Sequence, residues 1–443
     1  MDYTLRFDVA IKDHYLHVPL DYNNPHGSEI TIFAREFVDP NKKDQDLPYL
    51  LFLQGGPGFK GDRPALVYGW LKEALKEFRV IILDQRGTGL SVPLNRQTLE
   101  TIGEPESQAA FLTYFRADSI VKDAEEFRKY FNQEKWTTLG QSYGGFITFT
   151  YLSLFPESLQ RCLVAGGTPP IYHDCLTVYH RALYSTALAN KKYFEMYPRD
   201  QQILNEIRDH LAEHEEFLPN GDPLTTERIQ LIGNLLGTTY RVHNLHYLLQ
   251  ETFVQAKGGR RLSDTFLSNI AELICFAPHP LYILMHETIY AQGKASLTNA
   301  KQAIWGLKHY GFQGEMRKDS KDLSADFTPT AENVQLVGEI YQPWLYRQDS
   351  ALKPLKDTFY QLENLSRNYE WSPLYNRKKL ANNQVPLACI VYEHDVFVDK
   401  ELSLATLEKV HSAKVWVSDE YQHDGLRVDG EKIFKRLLEM TQK

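Results

Sequence analysis

The stretch Trp136-Thr137-Thr138-Leu139-Gly140-Gln141-Ser142-Tyr143-Gly144-Gly145 decides how this chain is read. Trp136–Leu139 has the character of a short buried strand and Phe146–Phe155 of a helix, with a G-x-S-x-G turn between them. That spacing has a physical cause. A serine on a sharp strand-to-helix turn brings the residues two before and two after it against neighbouring backbone, where only glycine fits. The turn lifts the Ser142 hydroxyl clear of the sheet and aims the N–H groups that open the helix at one point in space. The plainer alternative is a glycine-rich turn with an incidental serine. The strand before it and the helix after it favour a nucleophile.

Working outward, the same alternation continues on both sides. Upstream, the apolar run Tyr49–Leu53 ends in Gly-Gly-Pro-Gly, Ala65–Glu77 has helical spacing, and Val80–Leu83 ends in Asp84-Gln85-Arg86-Gly87. Asp118–Phe131 is an amphipathic helix, and downstream Cys162–Ala165 is a further strand. Near-continuous apolar strands alternating with helices predict a doubly wound, mostly parallel α/β sheet. Three strand-like segments precede it: Tyr3–Val9, Tyr15–Leu20 and Ile30–Val38. From 171 to 381 the alternation stops and the chain reads as helices and loops. Strands return at Val385–Tyr392 and Val415–Val417, and the helix Glu431–Thr441 closes the chain. The expected organisation is therefore one catalytic unit over 1–170 and 382–443, with a large, mainly helical cap over 171–381 inserted between late strands.

Composition narrows the function classes. The chain has 443 residues, room for two or three compact units, and its 43% hydrophobic and 24% charged content excludes wholesale disorder. Lys and Arg total 49 against 57 Asp and Glu, a net charge of −8, which does not suit nucleic-acid binding. No apolar run is long enough to span a bilayer, and Met1–Asp13 lacks the basic start and apolar core of a signal peptide, so a cytoplasmic location is expected. Cys162, Cys175, Cys275 and Cys389 lie far apart and read as free thiols rather than a zinc site or disulfides.

A serine nucleophile needs a base, and the base needs an orienting carboxylate. On a sheet of this kind the chain order is Ser, then Asp or Glu after a late strand, then His after the last one. Val385–Tyr392 is followed by Glu393-His394-Asp395, and Val415–Val417 by Tyr421-Gln422-His423-Asp424. This order proposes Asp395 and His423, with Glu393 and Asp399 as rival acids and His394 and His411 as rival bases. The N–H groups expected to hold an oxyanion are those of Gly56, in the Gln54-Gly55-Gly56-Pro57-Gly58 turn, and Tyr143. His286-Glu287-Thr288-Ile289-Tyr290 begins like H-E-x-x-H, but Tyr290 stands where the second histidine ligand belongs, so no zinc is expected. Asp84–Gly89 lacks the lysine of a phosphate loop; Arg86 is expected to pair with a buried carboxylate and brace the loops around Ser142.

Together these pieces resemble the proline iminopeptidase (prolyl aminopeptidase) family of α/β-hydrolase serine peptidases, in its larger-subunit branch. The resemblance rests on Leu53–Gly58, Leu83–Gly89 and Gly140–Gly145, and on Tyr392–Val398 and Glu420–Arg427 near the C-terminus. His286–Tyr290, Gly338-Glu339 and Pro343-Trp344 are similar to segments of that family's cap. Many members have His where this chain has Gln54, a departure that bears on loop packing rather than on backbone donors. The resemblance implies release of an N-terminal residue, preferentially proline, from short peptides, with no metal or organic cofactor. It also implies that cap carboxylates hold the substrate amine, Glu287 first and Glu339 second, although each also reads as a plain helix-surface charge. An esterase or amidase on the same scaffold is the alternative enzyme, and a non-catalytic binding protein the alternative of another class.

Overall fold

The computed structural model describes residues 3–6, 8–295, 297, 333–339 and 344–442, together with the backbone of two short strands at 314–316 and 327–329. Phe7 in the expected first strand and Pro343 in the expected cap segment lie outside the described residues. One nine-stranded sheet organises the chain. Its strands are β1 (Thr4–Leu5), β2 (Ala10–Pro19), β3 (Glu29–Val38), β4 (Tyr49–Leu53), β5 (Arg79–Leu83), β6 (Trp136–Gln141), β7 (Leu159–Ala165), β8 (Leu387–Tyr392) and β9 (Ala413–Ser418). Their spatial order is β1-β2-β3-β5-β4-β6-β7-β8-β9. The first three are joined antiparallel to one another and to β5, and every pairing from β5 to β9 is parallel. This is the α/β-hydrolase arrangement expected from the sequence. The helices used below are α1 (Gly69–Ala74), α2 (Ala117–Tyr130), α3 (Tyr143–Leu154), α4 (Cys175–Met196), α5 (Lys356–Ser366) and α6 (Gly430–Gln442).

The apolar strands are apolar throughout because both faces are covered. In β4, Leu51 and Leu53 join a core with Ile120, Val121 and Phe127 of α2 and Phe146, Ile147 and Phe149 of α3. Their alternates Leu50 and Phe52 face the other way, onto Trp70 and Leu71 of α1 and Ile433, Phe434 and Leu437 of α6. Strand β5 divides likewise, with Ile81 and Leu83 on the first face and Val80 and Ile82 on the second. Strand β9 is an edge: Trp416 is buried beneath the Arg436 guanidinium, 3.8 Å from its ring centroid, while Val415 and Val417 are exposed.

Two local expectations are corrected. The helix expected over Ala65–Glu77 is confined to Gly69–Ala74, because Gly69 takes φ 56 and the preceding chain is held out by the Val67 N–H on Asp8, 3.3 Å away. Among its described residues the region from 171 to 381 has more helix than strand, but it also carries small antiparallel hairpins: Glu216–Phe217 with Pro223–Leu224, Phe253–Ala256 with Gly259–Leu262, and Gly314–Met316 with Phe327–Pro329.

Arg86 does pair with a buried carboxylate. Its Nε and Nη2 donate to both oxygens of Asp123 at 2.7 and 2.6 Å, and its Nη1 donates to the carbonyls of Leu20 and Tyr114. That fork fastens the end of β2 and helix α2, not the loops around Ser142. The neighbouring Gln85 does the bracing, donating from Nε2 to the Gln54 carbonyl at 2.7 Å.

Candidate active site

The loops after β4, β5, β6, β8 and β9 gather at the carboxyl ends of the parallel strands, where open α/β sheets place their ligands. Ser142 stands on the turn from β6 to α3 with φ 55 and ψ −125, a left-handed conformation that costs a side-chain-bearing residue of order 1–3 kcal/mol. The flanking glycines permit it. A Cβ on Gly140 would come within 2.3 Å of the Gly144 carbonyl oxygen, and one on Gly144 within 1.9 Å of the Leu53 carbonyl oxygen. The turn is pinned by the Ser142 N–H on the Ala165 carbonyl (3.0 Å) and the Gly145 N–H on the Ser142 carbonyl (2.7 Å).

His423 and Asp395 meet Ser142 from the far end of the chain. His423 Nε2 lies 2.9 Å from Ser142 Oγ, and Nδ1 lies 2.8 Å from Asp395 Oδ2. The other carboxylate oxygen of Asp395 accepts the Phe397 and Val398 N–H groups at 2.8 and 3.1 Å, which locks the acid in place. The backbone N–H of His423 donates to the Gly237 carbonyl at 3.2 Å, so the base also rests on the inserted region. Burial pulls the His423 imidazole down, but the charge and hydrogen bond of Asp395, with the charges of Glu339 and Asp424, outweigh it and raise it above its ordinary value.

The rivals are otherwise engaged. Glu393 accepts from Lys400 Nζ at 2.5 Å, and Asp399 caps the helix Lys400–Leu407 and accepts from Arg181 at 3.0 Å. His394 is exposed, and His411 lies in the turn before β9 rather than on a helix, with Nδ1 2.7 Å from the Asn383 carbonyl.

Tyr143 follows the serine in the chain, and Gly56 belongs to the turn packed beside it. A Cβ built on Gly55 would touch that of Ser142 at 3.0 Å, so the Gly55-Gly56 turn lies directly against the nucleophile. Among the described residues, the Gly56 and Tyr143 N–H groups donate to no backbone carbonyl. Two backbone N–H groups left without a backbone acceptor, one following the serine in the chain and one in the turn packed against it, suit a developing oxyanion.

The carboxylates come from the inserted region. Glu287 opens the short 3-10 turn Glu287–Ile289 and accepts the Tyr179 hydroxyl of α4 at 2.9 Å. Glu339 accepts the Tyr282 hydroxyl and lies 4.0 Å from His286 Nδ1. Burial pushes Glu339 up to about 7 against the pull of Tyr282 and His423. The His286–Tyr290 segment is thus a turn rather than a zinc-binding helix. Burial drives the His286 imidazole down to about 3. Among the described residues, no group of three or more His, Cys, Asp or Glu side chains is placed to hold a metal ion.

Sequence reasoning missed Glu363 of α5. Burial and the charge of Glu287 raise it to about 7, which makes it a third carboxyl of this region. Its flanks, Leu362 and Asn364, are those of an ordinary amphipathic helix, so no local signal marks it. The supporting hydroxyls of Tyr179 and Tyr282 were equally silent.

A family model described as the alpha/beta hydrolase fold matches residues 48–203. The chain is 39% identical to a proline iminopeptidase of Aeromonas sobria over 435 residues, covering 98% of this chain and 97% of that one. It is 31% identical to a proline iminopeptidase of Aspergillus aculeatus, covering 96% and 92%. A tripeptidyl aminopeptidase of Streptomyces lividans is 24% identical over 189 residues, 35% of either chain. No helix among the described residues is long and apolar enough to cross a membrane.

Proposed function

The chain belongs to the proline iminopeptidase family, and from that premise we propose that it is a serine aminopeptidase releasing an N-terminal residue, preferentially proline, from short peptides. Ser142 is the nucleophile, and His423 is first the general base and then the general acid. Asp395 keeps the His423 Nδ1–H turned towards itself, leaving Nε2 free for the serine proton. Attack by Oγ on the carbonyl of the first residue forms a tetrahedral oxyanion held by the Gly56 and Tyr143 N–H groups. Collapse breaks the peptide bond as His423 protonates the departing amine, and water then cleaves the acyl-enzyme by the same route reversed. We assign 1–170 and 382–443 to the catalytic unit and 171–381 to a cap that closes over short peptides.

One observation carries the choice of an amine-bearing substrate over a simple ester. Two carboxyls of the inserted region, Glu287 and Glu339, are half-buried, and the negative charge of Glu339 is among those that raise the His423 imidazole. An apolar acyl chain gains nothing from such neighbours, whereas a substrate ammonium leaving water needs them. Glu287→Gln should therefore lower kcat/KM for prolyl-arylamides by roughly 10- to 150-fold, the equivalent of about 1.5–3 kcal/mol for a charge-assisted contact. Hydrolysis of simple acyl esters should change little, and Glu339→Gln should show the same selectivity. An unchanged amide-to-ester ratio in both variants would remove the aminopeptidase assignment while leaving the hydrolase chemistry intact.

The pH dependence follows from the same charges. His423 must be neutral to accept the serine proton, and its imidazole is raised, so activity falls as pH drops through a midpoint above the ordinary histidine value of about 6.5. Glu339→Gln deletes one of the negative charges that raise it and should move the midpoint for ester hydrolysis to lower pH. A kcat/KM profile against pH for both proteins checks the direction, and a shift upward contradicts the electrostatic account.

A further inference from the structure

The nucleophile and Glu287 are far apart in the chain, yet an aminopeptidase that removes one residue must hold them at one separation. Misplacement by about 1 Å can cost 10²-fold in rate. Arg116 links the two parts of the chain that carry them. It directly precedes α2, which shares a core with α3, the helix that begins at Tyr143. Its side chain points away from that core unit into the inserted region. Nε donates to the Thr288 carbonyl at 3.3 Å, Nη2 to the Ala291 carbonyl, and Nη1 to Ser372 Oγ at 3.0 Å. The guanidinium also lies 4.7 Å from the Trp371 ring centroid, and Trp371 is bridged to Gly293 by a pair of backbone hydrogen bonds at 2.8 and 2.9 Å.

Three features set Arg116 apart from a surface arginine or an ordinary buried ion pair. It is only 2% exposed. Its direct partners are carbonyls and a hydroxyl rather than a carboxylate, and a buried cation so placed is destabilising unless its donors are satisfied. Two of those donors, Nε and Nη2, meet on the far end of the turn that Glu287 opens: the Thr288 carbonyl also accepts the Ala291 N–H, closing that turn. A planar fork with fixed donors can hold several acceptors in one plane, which a lysine ammonium cannot.

We infer that Arg116 is a positioning residue that sets the separation between the Ser142 turn and the Glu287 turn, and through it the fit of a single N-terminal residue. The inference rests on the assignment of Glu287 to the substrate amine. Arg116 touches no reacting atom, so its loss should appear in substrate positioning rather than in the triad.

The test compares Arg116→Lys, Glu287→Gln and the unaltered enzyme on prolyl-arylamides and on a simple acyl ester, with melting temperatures recorded for each. Arg116→Lys is expected to raise KM for the arylamide and to lower the arylamide-to-ester kcat/KM ratio by roughly 10- to 100-fold, with ester turnover largely kept. If Glu287→Gln lowers the ratio and folded Arg116→Lys does not, the inference about Arg116 falls and the amine assignment stands. If neither changes the ratio, the amine assignment itself fails and takes the inference with it. A parallel loss on both substrates assigns Arg116 to general stability and overturns the positioning role. Should Arg116→Lys not fold, Ser372→Ala removes one acceptor of the fork and should move the ratio the same way by less; an unchanged ratio there overturns the inference too.

Discussion

Ser142→Ala should give a folded protein whose turnover on prolyl-arylamides is lower by roughly 10⁴-fold or more, the scale seen when a triad nucleophile is removed. The expected fold is unperturbed because the substitution keeps the Cβ that the turn already accommodates and deletes only Oγ. That atom's neighbour is His423 Nε2 at 2.9 Å. His423→Ala should lose about as much, since without it the serine proton has no acceptor. Asp395→Asn should lose somewhat less: the amide can still meet Nδ1, but it favours the tautomer that leaves Nε2 protonated. The measurement is kcat with melting temperature as the control. Turnover kept in folded Ser142→Ala ends the serine mechanism, whereas turnover kept only in Asp395→Asn moves the orienting role to another acid, despite the engagement of Glu393 with Lys400 and Asp399 with Arg181.

Gly144→Ala is expected to be nearly as damaging without touching a reacting group. A Cβ there would sit 1.9 Å from the Leu53 carbonyl oxygen and 3.1 Å from that of Gln54, both backbone atoms of the strand end that leads into the Gly55-Gly56 turn. Either the serine turn or that strand must move, and each carries one of the N–H groups assigned to the oxyanion. A shift of about 1 Å suffices for a 10²-fold loss of kcat/KM, and forcing an added methyl into packed surroundings costs about 1–3 kcal/mol of stability. Labelling by a serine-directed phosphonylating reagent should slow in step with turnover. Wild-type rates in this variant would falsify the account of why the turn is written with glycine at that position.

How much of this was legible in the chain follows from the range over which each feature is set. Strands β4 and β5 declare themselves because a sheet covered on both faces leaves no polar alternation, so the short apolar runs Tyr49–Leu53 and Val80–Leu83 suffice, whereas β6 is marked by the glycine-rich turn that follows it. The Ser142 turn is local as well, since glycine at Gly140 and Gly144 answers to clashes within one turn and its nearest strand. Asp395 and His423 were reachable by chain order, because the parallel order β6-β7-β8-β9 brings the carboxyl ends of β8 and β9 to the same side of the sheet as that of β6. Features without local cause stayed hidden. The exposed hairpin Phe253–Leu262 turns at Lys257-Gly258 but has little apolar alternation, so no period-2 pattern announces its strands. The Arg86 fork could be expected from charge, but its partners at Leu20 and Tyr114 depend on how β2 and α2 meet. Glu363, Tyr179 and Arg116 sit in stretches that read as ordinary helix or loop. Burial and neighbouring charges distinguish them, and those belong to the packed chain: Tyr179 meets Glu287, and Arg116 meets Thr288, across more than a hundred positions of sequence.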